Sequence, residues 1–320
     1  MIFFYILIFI ASCVLLYFSG RWVVEGLMRI ARFLGWREFV VAFFVMAFAA
    51  SLPNLFVGVT AALHKMSQLS FGDIAGNNLV ALTVAVALAV FFAKGKEISA
   101  ESRMIQTTAI FTIVAAILPL FLILDGSLSR IDGGLLIGFF FFYIFWLFSK
   151  QERFTKVYEG ERALITAELK KFPKVLGKVI LGIILLLLAA QGIVMAAQVF
   201  AQELCISIIL IGVLITGLGS ALPEIYFAVA AAKRGETWMI LGDLMGAVVV
   251  PATFVLGIVA LICPIEISDF SPLFIARIFL IVSALFFFFS VRTDRKITQK
   301  EAFFLLAIYI AFLLVEILVK

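Results

Sequence analysis

The sequence SLPN at residues 51–54 is matched by ALPE at residues 221–224, and GDIAG at residues 72–76 is matched by GDLMG at residues 242–246. The interval between the two copies is the same for both pairs, so no gap is needed to keep the copies aligned. Each copy places proline, glycine and polar or acidic residues inside a long apolar run, where such residues are costly. A duplicated pattern of this kind is typical of transporters built from two structural repeats.

The composition indicates a helical membrane protein. Of the 320 residues, 65% are hydrophobic and only 14% are charged, and the mean hydropathy is +1.22. Repeated apolar runs of about 20 residues match the thickness of a bilayer, and the short alternating segments of a membrane β-barrel are absent. The expected partner is therefore membrane lipid. The net charge of +5 does not indicate nucleic-acid binding, because the basic residues lie in loops between the apolar runs.

We predict an all-α fold of ten transmembrane helices, arranged as two inverted repeats of five. The predicted spans are residues 2–19, 38–63, 68–93, 104–124, 132–149, 175–199, 206–232, 237–262, 273–291 and 300–319. With the N-terminus outside, 21 of the 25 Lys and Arg residues fall in inner loops, as the positive-inside rule requires. Both termini are then expected outside, in the plasma (cytoplasmic) membrane. Because five is odd, the second repeat enters the membrane from the opposite side.

The only long polar stretch divides the chain. Residues 1–149 are expected to form the first five-helix repeat, with its duplicated motif at about 41–93. Residues 150–174 form a cytoplasmic linker, and residues 175–320 form the second repeat, with the matching motif at about 211–262.

Two prolines mark the candidate site. Pro53 and Pro223 each lie in the middle of a span, where proline removes a backbone donor and frees carbonyl groups. Carbonyls freed at a wet cavity are suitable ligands for hard cations. Asn54 and Glu224 follow the prolines, and Ser220 lies one turn before Glu224. An intramembrane glutamate predicts an ion or proton site, although a harmless kink and a neutral, structural glutamate are the alternatives.

The second motif adds acidic and glycine residues. Asp73 and Asp243 each follow a glycine and precede an apolar helical run, which is typical of helix-capping carboxylates. Alternatively, they attract cations at the outer and inner entrances, respectively. Gly76 and Gly246 are expected to break their helices. Asn77 follows Gly76 in the first copy only and is a candidate amide ligand.

No resident cofactor or metal is expected, only the transported cations Na⁺, Ca²⁺ or H⁺. The three cysteines, at positions 13, 205 and 263, form no CxxC pair, and the chain has a single histidine. We do not expect an enzyme, because Ser220 has no histidine or lysine in the spans to activate it as a nucleophile.

The two motifs resemble those of the cation/calcium antiporter family, which includes the sodium/calcium exchangers. Its members carry two inverted repeats, each with G-T-S-L-P-E on one helix and G-S-N-x-x-N/D on the next. Here the first motif reads AASLPN at residues 49–54 and GSALPE at residues 219–224. The second reads GNNLVA at residues 76–81 and GAVVVP at residues 246–251. The resemblance covers nearly the whole chain and implies a ten-helix antiporter that works by alternating access.

The resemblance also implies the ligands. Glu224 is the central ligand for Ca²⁺ or Na⁺, and the neutral oxygen donors are Asn54, Ser51, Ser220 and Asn77, with Asn78 a weaker candidate. Of the family's two glutamates only Glu224 is present, since Asn54 occupies the other position. The closing amide or carboxylate of the second motif is replaced by Ala81 and Pro251. Spans 1 and 6 are expected to slide against a core of spans 2, 3, 7 and 8.

Our leading hypothesis is a secondary active cation antiporter of the sodium/calcium exchanger type, with a cation site at the repeat interface. One alternative is a proton- or monovalent-cation-coupled exchanger with little calcium transport, because a single carboxylate compensates a divalent ion poorly. Another is a transport-inactive membrane scaffold or sensor, which the residues at Ala81 and Pro251 favour.

Overall fold

The computed structural model describes residues 2–33, 48, 51–149, 172–235, 237–267, 269 and 271–319. In this part of the chain, nine helices are long and apolar enough to cross a membrane, and the shorter apolar helix Leu52–Leu63 completes a set of ten. In chain order they are α1 (Ile2–Phe33), α2 (Leu52–Leu63), α3 (Ser67–Phe92), α4 (Arg103–Leu122), α5 (Arg130–Ser149), α6 (Phe172–Leu204), α7 (Ile208–Arg234), α8 (237–262), α9 (Ser271–Arg292) and α10 (Gln299–Val319). The predicted all-α fold is confirmed.

Two helices are longer than predicted. Helix α1 continues to Phe33, although its span was expected to end at residue 19, and α6 covers Phe172–Leu204 where residues 175–199 were predicted. The extension of α1 carries charged residues that pair within the helix, since Arg21 Nε lies 2.8 Å from Glu25 Oε1, four residues later. The span prediction assigned these charged residues to a loop, whereas the helix continues beyond the apolar run.

The boundaries of the helices repeat with the spacing of the motifs. Helix α3 consists of Ser67–Val80, a π-helical segment Ala81–Ala85, and Val86–Phe92. Helix α8 has the same three parts at Thr237–Val250, Pro251–Val255 and Leu256–Ile262, each in the position that the motif spacing requires. The pairs α2 and the second half of α7, α4 and α9, and α5 and α10 match within two residues. The two repeats therefore share one architecture. The first part of the second span (38–47) and residues 150–171 of the linker lie outside the described residues.

Two short β-ribbons, which the sequence analysis did not predict, tie the repeats together at the loops. Strand β1 (Glu97–Ser99) pairs antiparallel with β4 (Lys296–Thr298), and β2 (Ser127–Leu128) pairs with β3 (Ile265–Glu266). Across the first ribbon, Lys296 Nζ donates a 2.9 Å hydrogen bond to Glu97, and this bond raises the pKa of Lys296. Each ribbon joins a loop of one repeat to a loop of the other.

Helices α3 and α7 touch through their backbones. Four glycines face each other at this contact: Gly72 and Gly76 on α3, and Gly212 and Gly217 on α7. A Cβ atom at Gly212 would lie 2.8 Å from the Cα of Gly72, and one at Gly217 would lie 2.8 Å from the Cα of Gly76. Only residues without a side chain permit this approach, which is the usual means of close packing between membrane helices.

The prediction that Gly76 and Gly246 break their helices was wrong. Gly76 lies inside the α-helical segment Ser67–Val80, and Gly246 lies inside Thr237–Val250. Neighbouring turns supply the hydrogen bonds that hold a glycine in a helix. Gly76 serves the contact with α7 instead.

Helices α1 and α6 pack against each other along their length, also through small residues. The contact includes Gly192 against Ser12 and Gly26 against Val179. Helix α1 also lies over the proline of the first motif, because a Cβ atom at Gly20 would meet the ring of Pro53 at 3.4 Å. The pair α1–α6 therefore covers the part of the core in which the motifs lie.

Replacing Gly72 with alanine should destabilise the fold. The new methyl group would collide with the carbonyl oxygen of Ile209 and the Cα of Gly212, which are backbone atoms and cannot rotate away. We expect a loss of about 1–3 kcal/mol, seen as a melting temperature several degrees lower in detergent. Gly138→Ala is the control, since nothing lies within 4 Å of a Cβ atom there. Equal melting temperatures for the two variants would contradict the close contact.

Candidate functional site

Helix α7 is interrupted at the first motif. Its α-helical segment Gly217–Ser220 ends before Ala221, and a new segment, Leu222–Arg234, begins after it. Pro223 is the second residue of the new segment and lacks the N–H that a regular helix would donate to Gly219. Pro53 occupies the same place in α2, directly after Leu52. The break brings Glu224, and Asn54 in the other copy, to the start of a helical segment in the middle of the molecule.

Glu224 is enclosed without a hydrogen-bond partner. Its side chain is 2% exposed, and neither carboxylate oxygen is bonded to the described part of the chain. A buried, unpaired carboxylate costs several kcal/mol. An intramembrane carboxylate of this kind is a candidate site for a proton or a cation.

Other buried polar groups on α2 and α3 also lack partners in the part of the chain that the structure describes. Native interiors leave few buried polar groups without partners, yet several cluster on α2 and α3. On these two helices, the buried side-chain atoms without a partner among the described residues are both amide atoms of Asn54 and of Asn77, Oδ1 of Asn78, Oδ2 of Asp73 and Oγ of Ser70. Ser51 is buried beside them at the start of α2. The cluster offers a concentrated set of oxygen donors.

The glycine contact brings the α3 residues to α7. The backbone at Gly217 approaches the N–H of Asn77 and the carbonyl of Asp73. Ser220, one turn further on, donates a 3.1 Å hydrogen bond to Oδ1 of Asp73 and a 3.2 Å bond to the carbonyl of Gly217. The hydroxyl of Thr216 donates a 3.2 Å hydrogen bond to the carbonyl of Gly212 and lies close to the same carboxylate. The structure thus joins Ser220, Asp73 and Asn77 in one cluster.

Sequence reasoning missed two hydroxyl residues of this cluster, Thr216 and Ser70. A signal for Thr216 was present, since it lies four residues before Ser220 and therefore on the same face of α7. Ser70 gave no comparable signal, because a serine in a membrane helix usually bonds to its own backbone.

The prediction that Asp73 and Asp243 cap helices was wrong. Each is the seventh residue of its helical segment, and the N-cap of the first is Met66. Asp73 is 1% exposed, so it does not lie at an outer entrance either. Both carboxylates lie within electrostatic reach of Glu224. They belong to the central cluster because each helical segment begins well before its aspartate and carries that side chain into the interior.

A cavity of about 340 Å³ leads from the surface to this cluster. It runs along α7 from Pro223 and Glu224 to the exposed Arg234, and Asp243, 8% exposed, forms part of its wall. Helix α1 provides the opposite wall. The lining residues on that helix are Tyr17, Gly20, Arg21, Val24 and Glu25. The cavity therefore connects the carboxylates of Glu224 and Asp243 with the surface.

The possible cation ligands are distributed over the site, and their oxygen atoms are hard ligands. Across the described ranges, no group of three or more His, Cys, Asp or Glu side chains is compact enough to hold one metal ion. Glu224, Asp73 and Asp243 therefore do not converge on one point, and only Glu224 and Asp243 of the three line the cavity. Carboxylate, amide and hydroxyl oxygens are the ligands that Na⁺ and Ca²⁺ take, whereas soft transition metals prefer thiolate and imidazole.

Comparison with known proteins identifies relatives over nearly the full chain. Residues 4–149 and 174–318 match the family model described as "Sodium/calcium exchanger protein". The chain is 27% identical over 292 residues to the inner membrane protein YrbG of Escherichia coli (strain K12), covering 87% of this chain and 86% of that protein. It is 24% identical over 345 residues to the sodium/calcium exchanger MaX1 of Methanosarcina acetivorans, covering 97% of both.

The fold matches a solved exchanger. The structure of the sodium-calcium exchanger NCX_Mj, soaked with 2.5 mM Na⁺ and 10 mM Sr²⁺, superimposes with a TM-score of 0.67 at 25% sequence identity. The match covers 97% of this chain and 98% of that one.

Replacing Asn54 with leucine should stabilise the cation-free protein and remove its response to cations. The change deletes a buried amide without a partner and keeps the volume similar, so we expect a gain of about 1–3 kcal/mol. The measurement is the melting temperature in detergent, with and without added CaCl₂ or NaCl.

The control for this variant is Thr112→Val on α4. Its hydroxyl is buried but bonded to the carbonyl of Thr108 at 3.0 Å, so its loss should leave the cation-induced rise in melting temperature unchanged. A destabilised Asn54→Leu protein that still responds to cations would exclude Asn54 as a ligand.

Proposed function

Because the chain belongs to the sodium/calcium exchanger family, we propose that it is a secondary active antiporter that exchanges sodium for calcium by alternating access. The observation that carries the proposal is the unpartnered carboxylate of Glu224, buried at the break in α7 and reached by a cavity. Such a carboxylate attracts a cation strongly and has no structural partner to lose. The family membership favours this function over a transport-inactive scaffold and over an exchanger that moves little calcium.

The proposed site combines one charge with neutral oxygens. Glu224 is the central ligand, and the neutral donors are Asn54, Ser51, Ser220 and Asn77. Calcium takes six to eight oxygen ligands and tolerates irregular geometry, so these side chains, freed carbonyls and water together can complete its shell. Sodium has half the charge of calcium, so the same oxygens bind it with less need for compensating negative charge.

The proposed topology follows the basic residues. The N- and C-termini lie outside the plasma membrane, and residues 150–174 form a cytoplasmic linker between the repeats 1–149 and 175–320. The cavity ends near Arg21 and Arg234, which belong to the basic, cytoplasmic side. On this topology the structure faces inward, because the cavity that Glu224 lines opens towards the cytoplasm.

The proposed motion divides the molecule into two bodies. Helices α3 and α7 are held together by backbone contact, and α1 packs along α6. We assign the core to α2, α3, α7 and α8, and the moving body to α1 and α6. A shift of α1 and α6 would close the cavity on one side and open its counterpart on the other.

Transport tests the function directly. Purified protein in liposomes loaded with sodium should take up labelled calcium when the outside is sodium-free. Glu224→Gln should reduce the rate about a hundredfold or more, because loss of a buried charge that faces an ion removes roughly 3–5 kcal/mol.

One control variant accompanies the flux assay. Glu203→Gln changes an exposed carboxylate at the end of α6 and should transport at the wild-type rate. Uptake that persists in Glu224→Gln, or a wild-type protein that moves no cation, would refute the proposed function.

The proposed orientation predicts which cysteine is accessible from outside. Cys205 is exposed after the end of α6 and Cys13 is buried. A variant that keeps Cys205 alone should react with a membrane-impermeant maleimide added to intact cells. A matched variant with no native cysteine but with Arg234→Cys should react only after the membrane is opened. The reverse pattern would invert the topology.

A further inference from the structure

We propose that Asp243 and Asp73 are side-specific ligands of the transported cation, each forming a two-carboxylate site with Glu224 in turn. Asp243 binds the cation while the site faces the cytoplasm, and Asp73 binds it while the site faces outward. This inference rests on the proposed function, since it assigns further ligands to the same cation.

Asp243 occupies the position of a ligand in the inward-facing structure. It lines the cavity together with Glu224, interacts with it electrostatically, and makes no hydrogen bond within the described part of the chain. Two like charges facing one cavity without partners repel each other unless a cation lies between them. The arrangement therefore fits a cation that contacts both carboxylates.

Asp73 holds the corresponding position in the other repeat but is closed off. It is the counterpart of Asp243 in the first copy of the motif, at the same place in its helix, and it is not part of the cavity wall. One of its oxygens accepts a hydrogen bond from Ser220 and the other has no partner. In a transporter made of inverted repeats, the two halves exchange conformations when access alternates. Asp73 then takes the exposed role that Asp243 has here.

The charge of the transported cation favours a second carboxylate. Glu224 alone supplies one negative charge, whereas a calcium ion that leaves water needs closer compensation and usually binds several carboxylates. Glu224 together with either aspartate supplies two negative charges. Since the three acids do not gather around one point, only one aspartate serves at a time, and water fills the remaining positions.

A direct ligand differs from a charge that only attracts ions towards the entrance. Attraction at the entrance acts over a distance, is screened by salt within about 8 Å at physiological ionic strength, and changes mainly the association rate. A carboxylate that contacts the ion changes its affinity at any salt concentration. Glu25 at the cavity mouth, paired with Arg21 and partly exposed, provides the comparison.

The experiment measures the KM for calcium separately at each face, in inside-out and right-side-out vesicles. Asp243→Asn should raise the cytoplasmic KM about tenfold or more and leave the external KM unchanged, and Asp73→Asn should do the reverse. Both effects should persist at high salt, whereas Glu25→Gln should act only at low salt. Asp243→Glu, which keeps the charge, should recover most of the affinity.

The outcomes separate this inference from the proposed function. A wild-type protein without Glu224-dependent calcium flux refutes the function and this inference with it. A transporting wild type with variants that change both faces equally, or neither face, refutes only the side-specific ligands. The calcium-induced rise in melting temperature, measured for each variant, shows that the protein is folded and reports calcium binding when transport is too slow to measure.

Discussion

The contact between the backbones of α3 and α7 controls the position of every polar group at the centre. Four glycines allow the two helices to approach closely, and this approach places Asp73 and Asn77 beside Thr216 and Ser220. A methyl group at any of the four positions would separate the helices and leave the cluster without its geometry. The polar residues are expensive in hydrocarbon, so a rigid contact next to them keeps them enclosed and oriented.

The two repeats share their architecture but differ in their charges. The helix segments, the prolines and the π-helical turns recur at the spacing of the motifs, and Thr83 and Thr253 bond to the carbonyl four residues earlier in both copies. The acidic residues repeat only in part. Asn54 occupies the position that corresponds to Glu224, whereas both copies carry the aspartate, as Asp73 and Asp243. The scaffold is therefore repeated more closely than the charges of the site.

The sequence predicted the helices well, because hydropathy and the repeated spacing report on burial in lipid, and most boundaries lie within a few residues of the prediction. The prediction from sequence failed where the surroundings of a segment in the folded protein determine its structure. Hydropathy does not show that α1 continues as a helix beyond its apolar run, and the β-ribbons depend on contacts between loops that are distant in sequence. The aspartates were misplaced for the same reason. Residue spacing does not show that Asp73 faces Ser220, 147 positions away.

The hydrogen bond between Ser220 and Asp73 has no equivalent in the other repeat, because Ala50 occupies the matching sequence position and offers no hydroxyl. A bond to a charged group contributes about 1.5–3 kcal/mol, enough to make the two orientations unequal by roughly tenfold to a hundredfold. The direction of net exchange is untouched, since ion gradients alone decide it. What changes is the waiting time: the cation-free protein rests longer in the conformation that holds this bond, and the opposite conformation forms only after the bond opens.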